Sequence, residues 1–407
     1  MSVPGPILVA VIDISEPLSD LDCTRSAGPP YREVWLLVCQ GGRPLGSVQL
    51  TTDGPSIKAA VLERELRAKL GDVSSVDPVN VTAELARASV VVPTALSRPE
   101  QLRRCVTRLT ELDHPDFEVI VVDNRREGAP IELPGVRVVR EPRPGISAAR
   151  NRGLAVADGE IVAFTDDDVE VDPRWLRAIG ERFARESDLA AVTGLVVPAA
   201  LDTPAQIFFE QSGSGLDRGY EALTFERDGR FRIRRRSTED GSERVHSMYK
   251  TGELGLGSNM AFRASVLRAM GGFDVALGTG TPTHGGEDLA MLMELIAEGY
   301  RLAYEPRAIV HHTHRATLDD LERQIHGYGV GFTAMLTAIT LRNPRHAFGL
   351  ASVLPEWVRS LRDPSCGKRS QRGDAYPAGL GRAELRGMLA GPVAYLRARR
   401  MQRRWAA

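Results

Sequence analysis

The stretch Gly159-Glu160-Ile161-Val162-Ala163-Phe164-Thr165-Asp166-Asp167-Asp168 constrains this chain more than any other. Ile161 to Thr165 is an unbroken apolar and β-branched run, the pattern of a strand covered on both faces. It stops at three consecutive carboxylates. A buried parallel strand ending this way puts the acids at its C-terminal edge, where open α/β sheets keep their ligand crevice. Three adjacent like charges destabilise a fold unless positive charge sits among them. A hard divalent cation carrying a phosphorylated ligand answers that need. Taken alone, the triplet reads better as a solvated acidic turn; the strand before it and the motifs around it reverse that.

Those motifs place the strand in a larger α/β domain. Ser89-Val90-Val91-Val92-Pro93-Thr94 reads as a buried strand running into a loop, and Ser97-Arg98-Pro99-Glu100 has the spacing of a helix-capping box. The helix behind it carries Leu102, Val106, Leu109 and Leu112 on one face. Phe117 to Val122 is a second strand, ending at Asp123-Asn124, and Val136 to Val139 a third. A short helix over Ser147 to Ala157 brings Arg150 and Arg152 just ahead of the central strand. Strands and helices alternating at this spacing predict βαβ units and a mostly parallel, Rossmann-like sheet with helices on both faces. Beyond the triplet, Asp172-Pro173 signals a helix start, and Leu189 to Pro198 another strand. Residues 199–252, rich in Gly, Ser and charge and including Arg232 to Arg236, read as an insertion or mobile loop. Order resumes at Gly255 to Phe262, and a glycine-rich loop over 278–286 leads to Glu287-Asp288 at the head of a helix.

At 407 residues the chain has room for this domain and smaller flanking units. We expect an N-terminal α+β unit and linker over 1–86, a main domain over 87–330, and a helical region with a basic tail over 331–407. In the first unit, Ile7 to Ile12, Val34 to Val38 and Leu45 to Thr51 are strand-like, Ile57 to Leu70 helical, and 73–86 linker-like; packing is its expected role. The net charge of −1 offers no basis for nucleic-acid binding. Cys23, Cys39, Cys105 and Cys366 form no C-x-x-C pair, which points to a reducing compartment. With no signal-like start and no run of about 20 apolar residues, a soluble, cytoplasmic protein is expected.

Together these segments resemble the family 2 glycosyltransferases, with their glycosyltransferase A-type fold. The matching features are Val-Val-Val-Pro-Thr, Val-Val-Asp-Asn, Ser-Ala-Ala-Arg-Asn-Arg-Gly-Leu and Phe-Thr-Asp-Asp-Asp, then Gly-Ser-Asn-Met-Ala-Phe-Arg, Gly-Gly-Phe-Asp, Gly-Gly-Glu-Asp-Leu and the His-x-His pair, over residues 88 to 330. The resemblance implies inverting transfer of a sugar from a nucleoside diphosphate sugar, with a bias toward UDP or GDP, to an acceptor hydroxyl on a glycan or lipid-linked glycan, in polysaccharide or glycoconjugate synthesis. It implies that Pro93, Thr94 and Asp123 hold the nucleoside and that Arg150 meets the base or phosphates. Asp168 is then a ligand of Mn²⁺ or Mg²⁺, Asp166 faces the ribose or the metal, and Asp167 lies with them in the donor site. His312 or His314 completes the metal shell. Asp288 is the general base, kept ionised by the helix dipole, and Glu287 orients the acceptor.

Two other classes compete. A sugar-nucleotide nucleotidyltransferase would carry glycine and Lys/Arg in the loop after its first strand, but Pro93-Thr94-Ala95-Leu96-Ser97-Arg98 has neither glycine nor lysine. A non-catalytic nucleotide-sugar binding module has no physical need for Asp166, Asp168 and Asp288 together. At the C-terminus, Gly327 to Leu341 reads as a buried or interfacial helix. The tail places Arg397, Arg399, Arg400, Arg403 and Arg404 among Tyr395, Leu396, Met401 and Trp405, a pattern compatible with peripheral membrane contact.

Overall fold

The computed structural model describes residues 4–71, 84–212, 219–362 and 376–406. Most of the linker expected over 73–86 lies outside the described residues, as does Cys366.

The N-terminal unit contains β1 (Ile7–Asp13), β2 (Leu21–Asp22), β3 (Glu33–Gln40), β4 (Arg43–Thr51), β5 (Ser56–Ile57) and α1 (Ala59–Leu70). Central β3 pairs in parallel with β1 and antiparallel with β4, and Leu62 and Leu66 of α1 cover the small sheet. The unit is docked on the main domain. Ile7 bridges Leu201, the Arg174 guanidinium donates to the Gly41 carbonyl at 2.7 Å, and Arg43 pairs with Glu239 at 2.6 Å.

The main domain runs β6 (Ala88–Thr94), α2 (Pro99–Thr110), β7 (Phe117–Asp123), β8 (Arg137–Arg140), α3 (Ile146–Val156), β9 (Ile161–Phe164), β10 (Val169–Val171), α4 (Trp175–Arg185) and β11 (Leu189–Pro198). It continues through α5 (Pro204–Gln211), β12 (Leu223–Arg227), β13 (Arg232–Ser237), β14 (Glu243–Ser247), β15 (Met260–Arg263), α6 (Ala264–Ala269), α7 (Glu287–Ala297) and β16 (Arg301–His312). Three helices follow: α8 (Leu318–Arg342), α9 (His346–Arg362) and α10 (Ala378–Ala406). The large sheet has the order β14-β13-β12-β16-β11-β15-β9-β6-β7-β8.

This is the α/β architecture expected from the strand pattern. β8, β7, β6 and β9 form a continuous parallel block, and every residue of β6 is buried, as its apolar run requires. β15 then runs antiparallel between β9 and β11, which restores the direction for β11 and β16. One apolar layer packs Ala149, Leu154, Leu267 and Leu292 of α3, α6 and α7 on one face. The opposite layer packs Leu102, Leu109, Trp175, Ile179 and Phe208 of α2, α4 and α5.

The chain passes outward from β6 to β7 and β8, then returns to the other side of β6 at β9. That reversal opens a crevice between the C-terminal ends of β6 and β9. The Asp166-Asp167-Asp168 triplet sits at this point.

Three local expectations are corrected. Residues 199–252 are not a loose insertion: they supply α5 and the antiparallel β12–β13–β14, which widens the sheet beside β16. The basic run is β13, and its charges are met locally, Arg234 pairing with Asp228 at 2.7 Å and Arg236 with Glu243 at 3.4 Å. Ser97 caps no helix; Arg98 is the N-cap of α2, makes no side-chain capping bond and turns its guanidinium to the triplet. Asp172 likewise forms a tight turn, accepting from the Arg174 amide, and α4 starts at Trp175.

α8 passes unbroken through residue 330 and packs along α10 through glycines. A Cβ on Gly387 would meet the His326 carbonyl oxygen, one on Gly329 the Glu384 carbonyl oxygen, and one on Gly391 the Thr333 hydroxyl. The helices therefore touch backbone to backbone. Gly387→Val should force them apart and cost about 3 kcal/mol, read as a lower urea midpoint; an unchanged midpoint would mean the seam gives way freely.

Candidate active site

A cleft of about 1710 Å³ follows the C-terminal edge of β6 and β9 and runs out between α7, α8, α9 and α10. Pro93, Thr94, Arg150, Asp166, Asp167, Asp168, Glu287, Asp288 and His312 all line it. These residues come from five separate segments, so the sheet crossover and the two helix starts are what bring them together.

Arg150 is the hub. Arg150 projects from the first half of α3, and it is only 1 % exposed. It donates to Glu287 Oε1 at 2.7 Å, to Asp166 Oδ1 at 3.2 Å and to the Gly257 carbonyl at 3.1 Å. Burial works against its charge, but Glu287, Asp166 and Asp288 outweigh that and raise its pKa. Arg150 thus holds Glu287 and Asp166 together at the cleft wall.

Asp288 opens the first turn of α7 after Gly286, whose φ of 90° ends the preceding loop. Its Oδ2 accepts from the Gly257 amide at 2.8 Å and its Oδ1 from the Leu289 amide at 2.8 Å. Gly257 therefore ties the two ends of the acid cluster, its carbonyl on Arg150 and its amide on Asp288. A Cβ there would sit 2.8 Å from Arg150 Nη2 and 3.0 Å from Asp288 Oδ2. Glu287 is buried, with one oxygen on Arg150 and Oε2 without a hydrogen-bond partner. Burial, reinforced by Asp288, raises its pKa. The loop over 278–286 is braced by buried Thr281 and Thr283, whose hydroxyls lie 2.9 Å apart and bond the Gly278 backbone.

The triplet is divided by its surroundings. Burial, with the neighbouring acids adding to it, pushes Asp166 up to about 7 despite Arg150. Asp167 accepts from the Thr94 hydroxyl at 2.6 Å, stitching β6 to β9, and burial raises it too. Asp168 is shifted the other way. Burial opposes its charge, but the positive charge of a protonated His312, and of Arg98 and Arg315 at every pH, holds it below the usual carboxylate range, and Arg98 Nη1 donates to Oδ2 at 2.7 Å.

β10 pairs antiparallel with β16, Val169 opposite His312, and this register brings His312 to the triplet. His312 Nε2 lies 3.6 Å from Asp168 Oδ1. Its Nδ1 lies 3.1 Å from His314 Nδ1, and His314 Nε2 lies 2.6 Å from Glu210 Oε1. Burial lowers the His312 pKa to about 4, so the ring is neutral near pH 7. In the tautomer where neutral His314 donates from Nε2–H to Glu210, its Nδ1 accepts and His312 Nδ1–H donates. His312 Nε2 is left with a lone pair facing an ionised carboxylate oxygen. Two acceptors so placed fit a cation between them. Among the described residues no cluster of three His, Cys, Asp or Glu is gathered to hold an ion unaided. An ion here would draw the rest of its shell from phosphate oxygens and water.

Two residues singled out from the sequence stand off the cleft wall. Asp123 is 2 % exposed and locked by Arg125, which donates to both of its oxygens at 2.9 Å. Its neighbour Asn124 lines the cleft instead. His314 is buried behind His312. Glu210 was marked by no sequence motif; Arg98 entered only through its cap spacing and Gly257 only as the first residue of Gly-Ser-Asn-Met-Ala-Phe-Arg, neither with a role in the site.

Residues 89–267 match the family described as Glycosyl transferase family 2. Over these residues the chain carries a family 2 glycosyltransferase domain. The matched segment contains the parallel block, Arg150, the triplet and Gly257, and stops before the Glu287-Asp288 helix. The chain is 30 % identical over 240 residues to the pre-mycofactocin glycosyltransferase of Mycobacterium tuberculosis, covering 57 % of this chain and 44 % of that protein. It is 27 % identical over 170 residues to the glucosyl-dolichyl phosphate glucuronosyltransferase of Haloferax volcanii, covering 41 % of this chain and 47 % of the relative. The chain thus spans less than half the length of both. The mannosyltransferase PcManGT of Pyrobaculum calidifontis, solved with GDP-Man and Mn²⁺, aligns with a TM-score of 0.41 at 18 % identity, over 81 % of this chain and 79 % of that one.

Proposed function

We propose that this chain transfers a sugar from a nucleoside diphosphate sugar to an acceptor hydroxyl with inversion, using Asp288 as general base. The observation that carries the reading is the convergence of Asp166, Asp168 and Asp288 on one cleft at the sheet's crossover point, around a buried arginine. A binding module gains nothing from that crowding of acids. In this reading the donor lies along the ends of β6 and β9, with Pro93, Thr94 and Asn124 beside its nucleoside. Asp168 and His312 would hold a divalent cation, Mn²⁺ suiting a histidine donor better than Mg²⁺. When bound, it supplies positive charge to the diphosphate leaving group. Asp288 faces the acceptor side and takes the hydroxyl proton as that oxygen attacks the anomeric carbon. Single displacement from the face opposite the leaving group inverts the centre.

Nucleotide release from a panel of UDP-, GDP- and dTDP-sugars, with and without Mn²⁺, tests the reading. Metal-dependent release from one donor, lost in Asp168→Ala, is expected. If no nucleotide sugar is turned over and none raises the melting temperature, the transferase reading fails.

Glu210→Gln should weaken Mn²⁺ binding about 10-fold to 100-fold in calorimetric titrations with donor nucleotide, because it releases the tautomer imposed on His312. An unchanged affinity would place the ion elsewhere. Cation affinity should also rise with pH through about 7, as Asp166 gives up its proton and the cluster gains negative charge.

A further inference from the structure

The outer part of the cleft differs from its inner part. Past Asp288 one side of the wall is apolar, formed by Phe332 and Leu336 of α8, Leu350 and Leu354 of α9, and Leu385 and Met388 of α10, with Arg323, Arg382 and Glu384 also lining the cleft. Leu354 and Leu385 belong to the rim as well, where they are also exposed to solvent. From Leu385 an apolar stripe continues along the open face of α10 through Leu389, Val393 and Leu396. Leu389 is 84 % exposed, and Phe348 of neighbouring α9 is 78 % exposed. Side chains this bare and this large are seldom left scattered along one helix face without a partner.

The charges beside the stripe identify that partner. Between Leu385 and Trp405 the chain holds six arginines and no Asp or Glu. Arg397, Arg400, Arg403 and Arg404 fall on the exposed face, continuing the apolar stripe toward the C-terminus. Arg397, Arg400 and Arg404 join Arg126, Met401 and Trp405 around a depression of about 710 Å³, and the Arg126 guanidinium stands 5.5 Å over the Trp405 ring. Among the described residues, no ion pair joins a carboxylate to any of these four arginines, although nearly every arginine near the triplet has one. A second copy of this chain would set like charges against each other. An apolar stripe with uncompensated guanidinium groups at its end matches a bilayer bearing anionic phosphate headgroups.

We propose that the open face of α9 and α10 docks on an anionic lipid surface, with Leu389, Val393 and Phe348 entering the interface and Arg126, Arg397, Arg400 and Arg404 holding lipid phosphates. The docked orientation turns the apolar arm of the cleft toward the membrane. An acceptor alcohol with a lipid tail then reaches Asp288 without leaving the bilayer surface. The docking stands apart from the transfer chemistry; the acceptor class rests on the proposed glycosyl transfer.

The test is flotation of the full chain with phosphatidylcholine vesicles and with vesicles that also contain phosphatidylglycerol, at low and physiological salt. Binding only to the anionic vesicles, weakening as salt rises, is expected. The exposed substitution Leu389→Glu should reduce it at least tenfold, and Arg397→Ala/Arg400→Ala/Arg404→Ala roughly a hundredfold. Unchanged circular dichroism and donor-nucleotide binding would show both variants folded. Absence of flotation on anionic vesicles overturns the proposal, as does equal binding by the triple arginine variant. A dimer in light scattering that Leu389→Glu dissociates would assign the face to a second copy and overturn it too. Lost flotation with intact nucleotide release removes the docking alone; retained flotation without turnover of any donor removes the transfer reading alone.

Discussion

Asp288→Asn should lower sugar transfer by about a thousandfold while donor binding stays within a few-fold of wild type. The carboxylate is held in place by the Gly257 and Leu289 amides, and an asparagine keeps the same length and one accepting oxygen. What it loses is the capacity to take a proton. The effect should therefore fall on kcat and leave the donor KM nearly untouched. Steady-state nucleotide release with a working acceptor separates the two. If kcat falls by less than tenfold, the base is not Asp288, and Glu287, with its unpartnered Oε2, becomes the group to replace next.

Arg150→Met should cost about 3–5 kcal/mol of stability at pH 8. Methionine fills much of the volume but leaves Asp166 and Glu287 buried without their counter-ion. The sign of the pH dependence follows. Without Arg150 both carboxyls hold protons more tightly in the folded chain than in the unfolded one, so folding takes up protons and stability rises as pH falls. The gap between variant and wild type should narrow from pH 8 to pH 5. Urea midpoints at the two pH values measure it. Equal midpoints at pH 8 would show that Arg150 is not what holds the acids together. Arg150→Lys keeps the charge but loses the fork that reaches Glu287, Asp166 and Gly257 at once, and should recover part of the loss.

The strands and the triplet were legible because both depend on local pattern: an apolar run that ends in acids has few ways to fold. Arg98 was misread for the opposite reason. Ser97-Arg98-Pro99-Glu100 has cap spacing, yet the side chain answers to Asp168, some 70 positions away, and no local rule contains that partner. Asp123 shows the same limit: its partner Arg125 is two residues away, yet no strand pattern announces the pair. The charged, Gly-rich composition of 199–252 suggested looseness, but β13 arginines find acids on β12 and β14 once the strands pair. Glu210 was invisible because its role exists only through two histidines a hundred residues later.

The glycine contacts between α8 and α10 also bear on how this protein can diversify. Positions that meet as bare backbone have no side chain to exchange, so drift there is closed. Gly331 of α8 extends the same constraint toward the active centre, since a Cβ on it would lie 2.8 Å from the backbone of Gly285, two residues before Glu287. New acceptor preferences must therefore arise from the lumen-facing residues of these helices, with their spacing inherited unchanged. Lineages of this protein should differ in what the outer chamber admits while keeping one fixed distance from chamber wall to Asp288.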